Sequence, residues 1–488
     1  MPDLYHFLVT HWGLSVATSA LIAVFVACAV VVGTVLFVVG FSTYVERKVA
    51  ADIQRRIGPN QCNLGPFFGE LLRVVVENGK LPQAGALGRA MAAACKPFQR
   101  PLSVLDRILG RLAPGVLIFM ADGLKLILKE DIIPDAVDKP LFRAAPYIVL
   151  ASALGGLAVL PFSDKLYIAD FNIGIFYIAA ITSLEVLGIL MAGWASNNKW
   201  ALLGGMRSAA QIVSYELPVG LAIATVVLVS GTLSMQGICY SQLALHPGSD
   251  WHSSGWFWQW NIFHPAMFVL APAYFLASLA ECNRTPFDIP EAESELVAGY
   301  HTEYSGMRFS LFFMAEYAMM VVTSAVAVTL FLGGWSTGLG PLEWAMMAEP
   351  PGFDAAGVMT QPVYAWYGWL VHLLAFGLKT YALILLMMWI RWTLPRFRVD
   401  QVMGLCWKKL IPISLACLLC TASWMVVRMM LAEQLGATLL EHITFWLRAA
   451  FALGVTAWLV WYFRRPIAPE EVAAQEEVLA QAGPGPLP

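Results

Sequence analysis

The sequence predicts an all-α polytopic integral membrane protein with about nine transmembrane helices and a large cytoplasmic loop after the first helix. Of its 488 residues, 59% are hydrophobic and only 13% are charged. The mean hydropathy of +0.66 is far too high for a soluble protein. Nine apolar runs are each long enough to cross a hydrocarbon core of about 30 Å. They lack the alternation of barrel strands, and therefore we expect helices.

The nine runs follow one another along most of the chain. They lie at about 15–42, 145–162, 174–195, 211–231, 265–281, 311–332, 367–390, 410–430 and 443–463. The first run is too long for a signal peptide and has no small-residue cleavage site. We therefore expect it to remain in the mature protein as a membrane anchor.

The distribution of Lys and Arg predicts the orientation, because these residues favour cytoplasmic loops. Fifteen of the 30 lie within 44–144, and eleven more lie in the alternate loops and the C-terminal tail. The loops at 232–264 and 333–366 contain none. We therefore expect a multi-pass protein of the bacterial inner membrane, with a periplasmic N-terminus and a cytoplasmic C-terminus. The net charge of −3 gives no sign of the basic face that binds nucleic acid.

Cysteine and histidine give no sign of a metal or haem site. The only CxxC pair, Cys417 and Cys420, lies inside an apolar run, and a zinc site would need a second pair or histidines nearby. A membrane haem needs axial ligands that face each other across helices. Only His372 lies well inside a run. We therefore predict no metal site and no redox centre in this chain.

Four glutamates lie within or at the end of apolar runs: Glu185, Glu216, Glu281 and Glu316. A charged side chain at the middle of a membrane helix costs about 2.5–3.5 kcal/mol on insertion scales. Some of the four could instead lie near helix ends or hydrogen-bond to neighbours. Together they favour a buried proton path, because burial and mutual repulsion let grouped carboxylates exchange protons near neutral pH as a coupled set.

The segment AECNRTPFDIPEAESELVAGYHTEYSG, residues 280–306, is unusually acidic. Prolines interrupt any helix that continues from the membrane, Asp288 is a candidate N-cap, and Glu291 has the spacing of a capping box. On the helix predicted to follow, Glu291 and Glu295 share one face, whereas Glu293 points elsewhere. Because like charges four residues apart repel each other, helix stability does not explain the pair.

Five segments together resemble subunit 1, also called the H subunit, of respiratory complex I, the proton-pumping NADH:quinone oxidoreductase. The segments are VERKVAADIQRRIGPN, ADGLKLILKEDIIP, MRSAAQIVSYE, AECNRTPFDIPEAESELVAGYHTEYSGM and IRWTLPRFRVDQVMGLCWK. They occur in the family's order between about residues 16 and 430. The resemblance implies a membrane subunit that joins the redox arm to the membrane arm and helps to form the quinone chamber.

The resemblance also implies roles for individual residues. It assigns the quinone passage to Arg47, Gln54, Arg56, Asp122, Lys125 and Arg284. It assigns proton transfer or coupling to Glu185, Glu216, Glu281, Glu291, Glu293, Glu295 and Glu316. Quinone is then a substrate, and this chain alone binds no cofactor. The flavin and iron–sulfur clusters are expected in partner subunits, so the isolated chain is not expected to catalyse a reaction.

The sequence departs from the family pattern in two places. We expect one membrane domain at 1–463 with an insertion at about 67–116, followed by a polar cytoplasmic tail at 464–488. Ile118 stands where the family commonly has glutamine. Within the insertion, PLSVLDRILGRLAP predicts an amphipathic helix at the membrane surface or against a partner subunit.

Three alternatives remain open at this stage. The membrane subunit of an energy-converting hydrogenase shares ancestry with this family, but we would not expect it to keep the whole acidic segment. A stand-alone ion transporter would be stable and active without partners. A purely structural anchor would leave the buried acids unexplained. Identification of flavin and iron–sulfur partners in a pull-down distinguishes these possibilities.

Overall fold

A computed structural model describes residues 16–60, 115, 118–243, 255–290, 293–349, 363–365, 367–435 and isolated positions between 444 and 454. The chain divides into two compact units, residues 1–425 and 426–488. The first unit contains all the sites discussed below. In the second unit, the described residues are the end of one helix and a few helical positions.

The described residues form fourteen α-helices and one small antiparallel sheet of two strands, β1 Met347–Glu349 and β2 Val363–Tyr364. The helices are α1 Val16–Ile53, α2 Ile118–Leu128, α3 Lys139–Gly156, α4 Gly174–Thr182, α5 Leu184–Ala195, α6 Lys199–Ser230, α7 Met235–Gln242, α8 Pro265–Glu281, α9 Glu293–Leu296, α10 Gly306–Phe331, α11 Gly340–Met346, α12 Gly368–Thr393, α13 Val399–Leu405 and α14 Ile411–Leu435. A 3₁₀ turn, Leu157–Val159, extends α3. A π-helix, Cys406–Leu410, joins α13 to α14.

Long apolar helices confirm the predicted class, an all-α polytopic membrane protein. Within the part of the chain that the structure describes, six helical segments are long and apolar enough to span: Lys139–Val159, Gly174–Ala195, Lys199–Ser230, Gly306–Phe331, Gly368–Thr393 and Val399–Leu431. A seventh, α8, is apolar but has only 17 residues. The count of nine stays a prediction, because the first run, at 15–42 in α1, is not among these spans and the run at 443–463 falls almost wholly outside the described residues. The insertion and the polar tail fall there too.

Local capping explains where α6 differs from the predicted run at 211–231. The helix begins twelve residues earlier because the Asn198 side chain accepts a hydrogen bond from the Trp200 amide at 3.0 Å, as an N-cap does. It ends at Gly231, whose φ of +68° is the left-handed conformation of a helix C-cap. The run at 174–195 is divided by Ser183 into α4 and α5.

Helix α10 is the centre of the fold. Of its most apolar 18-residue window, 89% is buried inside the protein, against 28% for α12. It packs against α1, α3, α8 and α12. The neighbouring helices α5 and α6 also pack on each other and on the turn at Gly299. A Cβ at Gly204 in α6 would lie 2.8 Å from the Gly299 backbone, so glycine is needed for this close approach.

Candidate functional site

The loop at 282–290, at the start of the acidic segment, is anchored to α6 by one buried amide. The Gln211 Nε2 donates to the carbonyl oxygen of Ala280 at 2.7 Å and to that of Phe287 at 2.8 Å. A third contact, 3.3 Å from this nitrogen, is Asn283 Oδ1. Because buried backbone carbonyls need donors, Gln211 stabilises the loop in one conformation at the end of α8.

The segment between α12 and α13 packs on the other side of this loop. The Phe397 amide donates to the Pro286 carbonyl at 3.1 Å. Arg396 donates to Asp288 Oδ2 at 2.8 Å. The described helix α9 begins at Glu293, five residues after Asp288. The capping role of Asp288 stays a prediction, because residues 291 and 292 lie outside the described residues.

Inside the membrane domain, Arg284 lies between two carboxylates from different helices. Its guanidinium is 3.8 Å from Glu46 Oε2 and 3.7 Å from Glu316 Oε2. Tyr317 donates to Glu46 Oε2 at 2.5 Å, and its ring faces the Arg284 guanidinium at 4.0 Å. Arg391 of α12 also pairs with Glu46. We call Glu46, Arg284, Glu316, Tyr317 and Arg391 the Arg284 cluster.

The Arg284 cluster is buried and balanced in charge. Arg284, Glu46 and Glu316 are 4%, 5% and 5% exposed. Two guanidinium groups face two carboxylates, so the desolvation of each charge is offset by opposite charge and hydrogen bonds. Sequence reasoning missed Glu46, Tyr317 and Arg391. Glu46 lies in the strongly polar VERK, which resembles a solvated helix end, and only the packing of α1 on α10 reveals its burial.

The six residues predicted for the quinone passage separate into two places. Arg284 is in the buried cluster, whereas Arg47 pairs with Asp122 of α2 at 2.6 Å in a half-exposed position, 47% and 39% exposed. Gln54, Arg56 and Lys125 are exposed. Consecutive residues on a helix point about 100° apart. This turn explains why Glu46 faces inward and Arg47 faces outward from the same part of α1.

Three predicted proton residues form a second group, which we call the three-glutamate site: Glu185, Glu216 and Glu281. Glu216 and Glu281 line a cavity of about 460 Å³ whose other walls are mainly apolar. Glu281 lies close enough to Glu185 and to Glu216 for their charges to interact. In the described part of the chain, Glu216 Oε1 is buried without a hydrogen-bond partner. The fourth glutamate, Glu316, belongs instead to the Arg284 cluster.

The remaining acids of the predicted coupling set lie around α9. Glu295 pairs with Arg207 of α6 at 2.6 Å and is 56% exposed. The side chain of Glu293 and the whole of Glu291 lie outside the described residues. Their roles, and the shared face of Glu291 and Glu295, stay predictions. Among the residues that the structure describes, no group of three or more His, Cys, Asp and Glu could hold a metal ion.

Comparison with known proteins identifies the family. A family model described as NADH dehydrogenase matches residues 91–422. The chain is 51% identical over 318 residues to the H subunit of NADH-quinone oxidoreductase from Anaeromyxobacter dehalogenans (strain 2CP-C), covering 64% of this chain and 72% of the relative. It is 39% identical over 418 residues to the protein of the same name from Chlorobaculum parvum (strain DSM 263 / NCIMB 8327), covering 85% and 95%. The chain therefore belongs to the family of NADH-quinone oxidoreductase H subunits.

Proposed function

We propose that this membrane subunit of NADH-quinone oxidoreductase couples quinone reduction to proton movement. The observation that carries the proposal is the three-glutamate site, where acids meet beside an apolar cavity among membrane-spanning helices. Reduction of a quinone takes up two electrons and two protons. The protein contributes titratable acids, and the electrons must come from partner subunits that carry flavin and iron–sulfur clusters.

The three-glutamate site has the chemistry that proton exchange requires. Within the described residues, no Lys or Arg lies within ion-pair distance of Glu185, Glu216 or Glu281. Without a fixed cation, a buried carboxylate is stabilised by binding a proton. Because each acid feels the charge of its neighbour, protonation of one changes the affinity of the next. A charge change at the quinone can therefore move protons among the three.

The quinone itself approaches, we infer, along the exposed face that carries Arg47, Asp122, Gln54, Arg56 and Lys125. Arg47 pairs with Asp122 where α1 packs on α2, and the side chains of Gln54, Arg56 and Lys125 are exposed hydrogen-bond donors. Such donors can bind the carbonyl oxygens of a quinone head group. In the orientation predicted from Lys and Arg, this face lies on the cytoplasmic side of the bacterial inner membrane, where the redox partners and lipid head groups can reach it.

Neutral glutamine in place of each acid tests the coupling. Glu281→Gln and Glu216→Gln keep the shape of the side chain and a polar amide in place of the carboxyl group, but cannot ionise. We expect assembled complex with either change to lose most of its quinone-coupled membrane potential in vesicles. Asp135→Asn, which removes a fully exposed carboxylate, is the matched control and is expected to keep it. Unchanged quinone reductase rate and potential in both glutamate variants would contradict the proton role.

The quinone passage needs a separate measurement. We expect Arg47→Ala to raise the apparent KM for quinone or to lower turnover, because it removes a donor and leaves Asp122 without its partner. Electron transfer from NADH to an artificial acceptor should stay intact, since that reaction does not need this subunit. Loss of both activities would indicate failed assembly. An unchanged KM and turnover would exclude Arg47 from the passage.

A further inference from the structure

A second cluster of charged side chains lies at the other end of α10 from the acidic segment. Asp164 follows α3, Glu343 is in α11, and His372 lies near the start of α12. The His372 Nδ1 is 3.3 Å from Asp164 Oδ1, and its Nε2 is 3.3 Å from Glu343 Oε2. We call these three residues the His372 cluster. None of them belongs to the predicted quinone or coupling sets.

The His372 ring is fixed in place by its surroundings. It is wholly buried, and the rings of Trp335 and Tyr364 pack on it with centroid distances of 4.5 Å each. Tyr364 belongs to β2, so the small sheet covers the cluster. Glu343 is also wholly buried. The ring therefore cannot turn away from either carboxylate without disturbing the packing around it.

For both contacts of the His372 ring to be hydrogen bonds, the cluster needs an additional proton. A neutral imidazole carries one N–H and one lone pair, so it can donate to only one of the two carboxylates. The other ring nitrogen would then direct its lone pair at a carboxylate oxygen. The contact becomes favourable only when the ring is doubly protonated or when one carboxylate is protonated. In both cases the cluster holds one proton more than a neutral imidazole with two carboxylates.

Other donors fix the two carboxylates. Ser163 Oγ donates to Asp164 Oδ1 at 2.7 Å. The Thr337 amide and hydroxyl donate to Glu343 Oε1 at 2.5 and 2.9 Å. Burial raises the pKa of Asp164, but the hydrogen bonds with His372 and Ser163 outweigh it and leave the pKa below its ordinary value. Asp164 is therefore the carboxylate that remains ionised.

The remaining titratable groups around the cluster do not replace this proton. Burial raises the pKa values of Tyr240 and Tyr364, and it raises the pKa of Cys239 to about 12, so all three stay neutral at ordinary pH. Lys379 donates instead to the carbonyls of Leu332, Gly334 and Ser336, at 2.6, 3.1 and 2.6 Å. These hydrogen bonds hold the turn that follows α10.

We propose that the His372 cluster is a proton-binding site that fastens three segments together at the end of α10 opposite the acidic segment. The segments are the stretch after α3, the stretch from Thr337 to α11, and the start of α12. The inference does not depend on the proposed coupling function, since it requires neither quinone nor the three-glutamate site. The orientation predicted from Lys and Arg puts this proton site on the periplasmic side.

The sign of the pH dependence follows from the groups involved. Asp164 has a folded pKa below its unfolded value of about 3.9, so its contribution is present above that pH and is lost as the pH falls through the folded value. At high pH, the cluster loses its additional proton, and His372 can then no longer donate a hydrogen bond to both Asp164 and Glu343. The contacts between the three segments are therefore most stable at a pH above the folded pKa of Asp164 and below the pH at which the additional proton leaves.

Hydrogen exchange of the assembled complex in lipid nanodiscs tests the proposal. Peptides covering 160–173 and 333–346 are followed at about pH 6 and about pH 9, on either side of the ordinary histidine pKa of about 6.5. After correction for the chemical effect of pH, we expect exchange in these peptides to be about tenfold faster at the higher pH in the parent. The Thr337 amide, bonded to Glu343, is the most direct reporter.

Two substitutions complete the experiment. His372→Gln cannot take up the additional proton, so its exchange should already be fast at about pH 6 and should show no further pH step. His264→Gln removes another buried histidine of the same unit and should keep the parent's step. A parent without a step, or a step retained in His372→Gln, would overturn the proposal. If His372→Gln fails to assemble, the parent profile and Glu343→Gln, which should also lack the step, decide the question.

Discussion

The Arg284 cluster and the three-glutamate site use the same buried residue type with opposite electrostatics. In the Arg284 cluster, Glu46 and Glu316 face two guanidinium groups and a tyrosine hydroxyl. In the three-glutamate site, the described residues provide no cation, and the carboxylates face one another and an apolar cavity. Paired carboxylates keep their charge, whereas unpaired ones are stabilised by a proton. Under the proposed function, only the three-glutamate site exchanges protons.

Removal of Arg284 should give the largest effect. Arg284→Ala removes the guanidinium that lies between the buried carboxylates of Glu46 and Glu316, although Glu46 keeps its ion pair with Arg391, and should cost about 3–5 kcal/mol of stability. The expected result is little assembled complex, or a strongly lowered Tm of the complex that forms. Arg284→Lys should recover only part of the loss, because an ammonium lacks the planar fork that reaches both acids. A Tm equal to that of the parent would show that the cluster is not an ion pair network.

Removal of the amide that anchors the loop should give an intermediate effect. Gln211→Leu leaves the carbonyls of Ala280 and Phe287 without their donor, at a cost of about 1–3 kcal/mol. Because the loop follows Glu281, coupling should weaken along with the thermal stability of the complex. The control is Gln54→Leu, which makes the same change at an exposed glutamine just after α1 and should shift stability by no more than about 0.5 kcal/mol. Equal shifts of thermal stability in the two variants would contradict the anchoring role of Gln211.

The smallest effect is expected at the surface ion pair of the acidic segment. Arg207 and Glu295 are 31% and 56% exposed, so Arg207→Ala should cost about 0–1 kcal/mol, and the cost should fall with added salt. The measurement is the Tm of the complex at low and high ionic strength. A large loss of Tm that added salt does not reduce would show that the Arg207–Glu295 pair behaves as a buried ion pair, and would contradict the prediction.

The fold was largely predictable because membrane helices must be long and apolar. The predicted run at 265–281 agrees with α8 residue for residue, and the run at 367–390 differs from α12 by one residue at its start. The run at 211–231 was too short because Lys199, Arg207 and neighbouring polar residues end the apolar signal, although the helix continues to its cap. Hydropathy indicates which part of a helix lies in the hydrocarbon core, whereas the hydrogen bond of the N-cap determines the residue at which the helix begins.

The candidate site was only partly predictable, because burial of a charge depends on tertiary packing. Glu185, Glu216 and Glu281 stand out in apolar runs, and the structure brings them together. Glu46 stands beside Arg47 and Lys48, which gives it the pattern of a solvated residue. His372 stands out inside a run, but its partner Glu343 lies in the short helix α11, 29 residues away along the chain. No local spacing could have paired them.

The adjacency of Glu46 and Arg47 gives α1 a mechanical property. One residue pairs with the protein interior and the next pairs with α2, about 100° away around the same rigid backbone. A rotation of α1 about its axis that moves Arg47 away from Asp122 must also move Glu46 relative to Arg284 and Arg391. The helix α1 therefore links the ion pair of Arg47 with Asp122 to the ion pairs of Glu46 in the Arg284 cluster. A rotation of α1 at the Arg47–Asp122 pair would therefore also displace Glu46 in the Arg284 cluster.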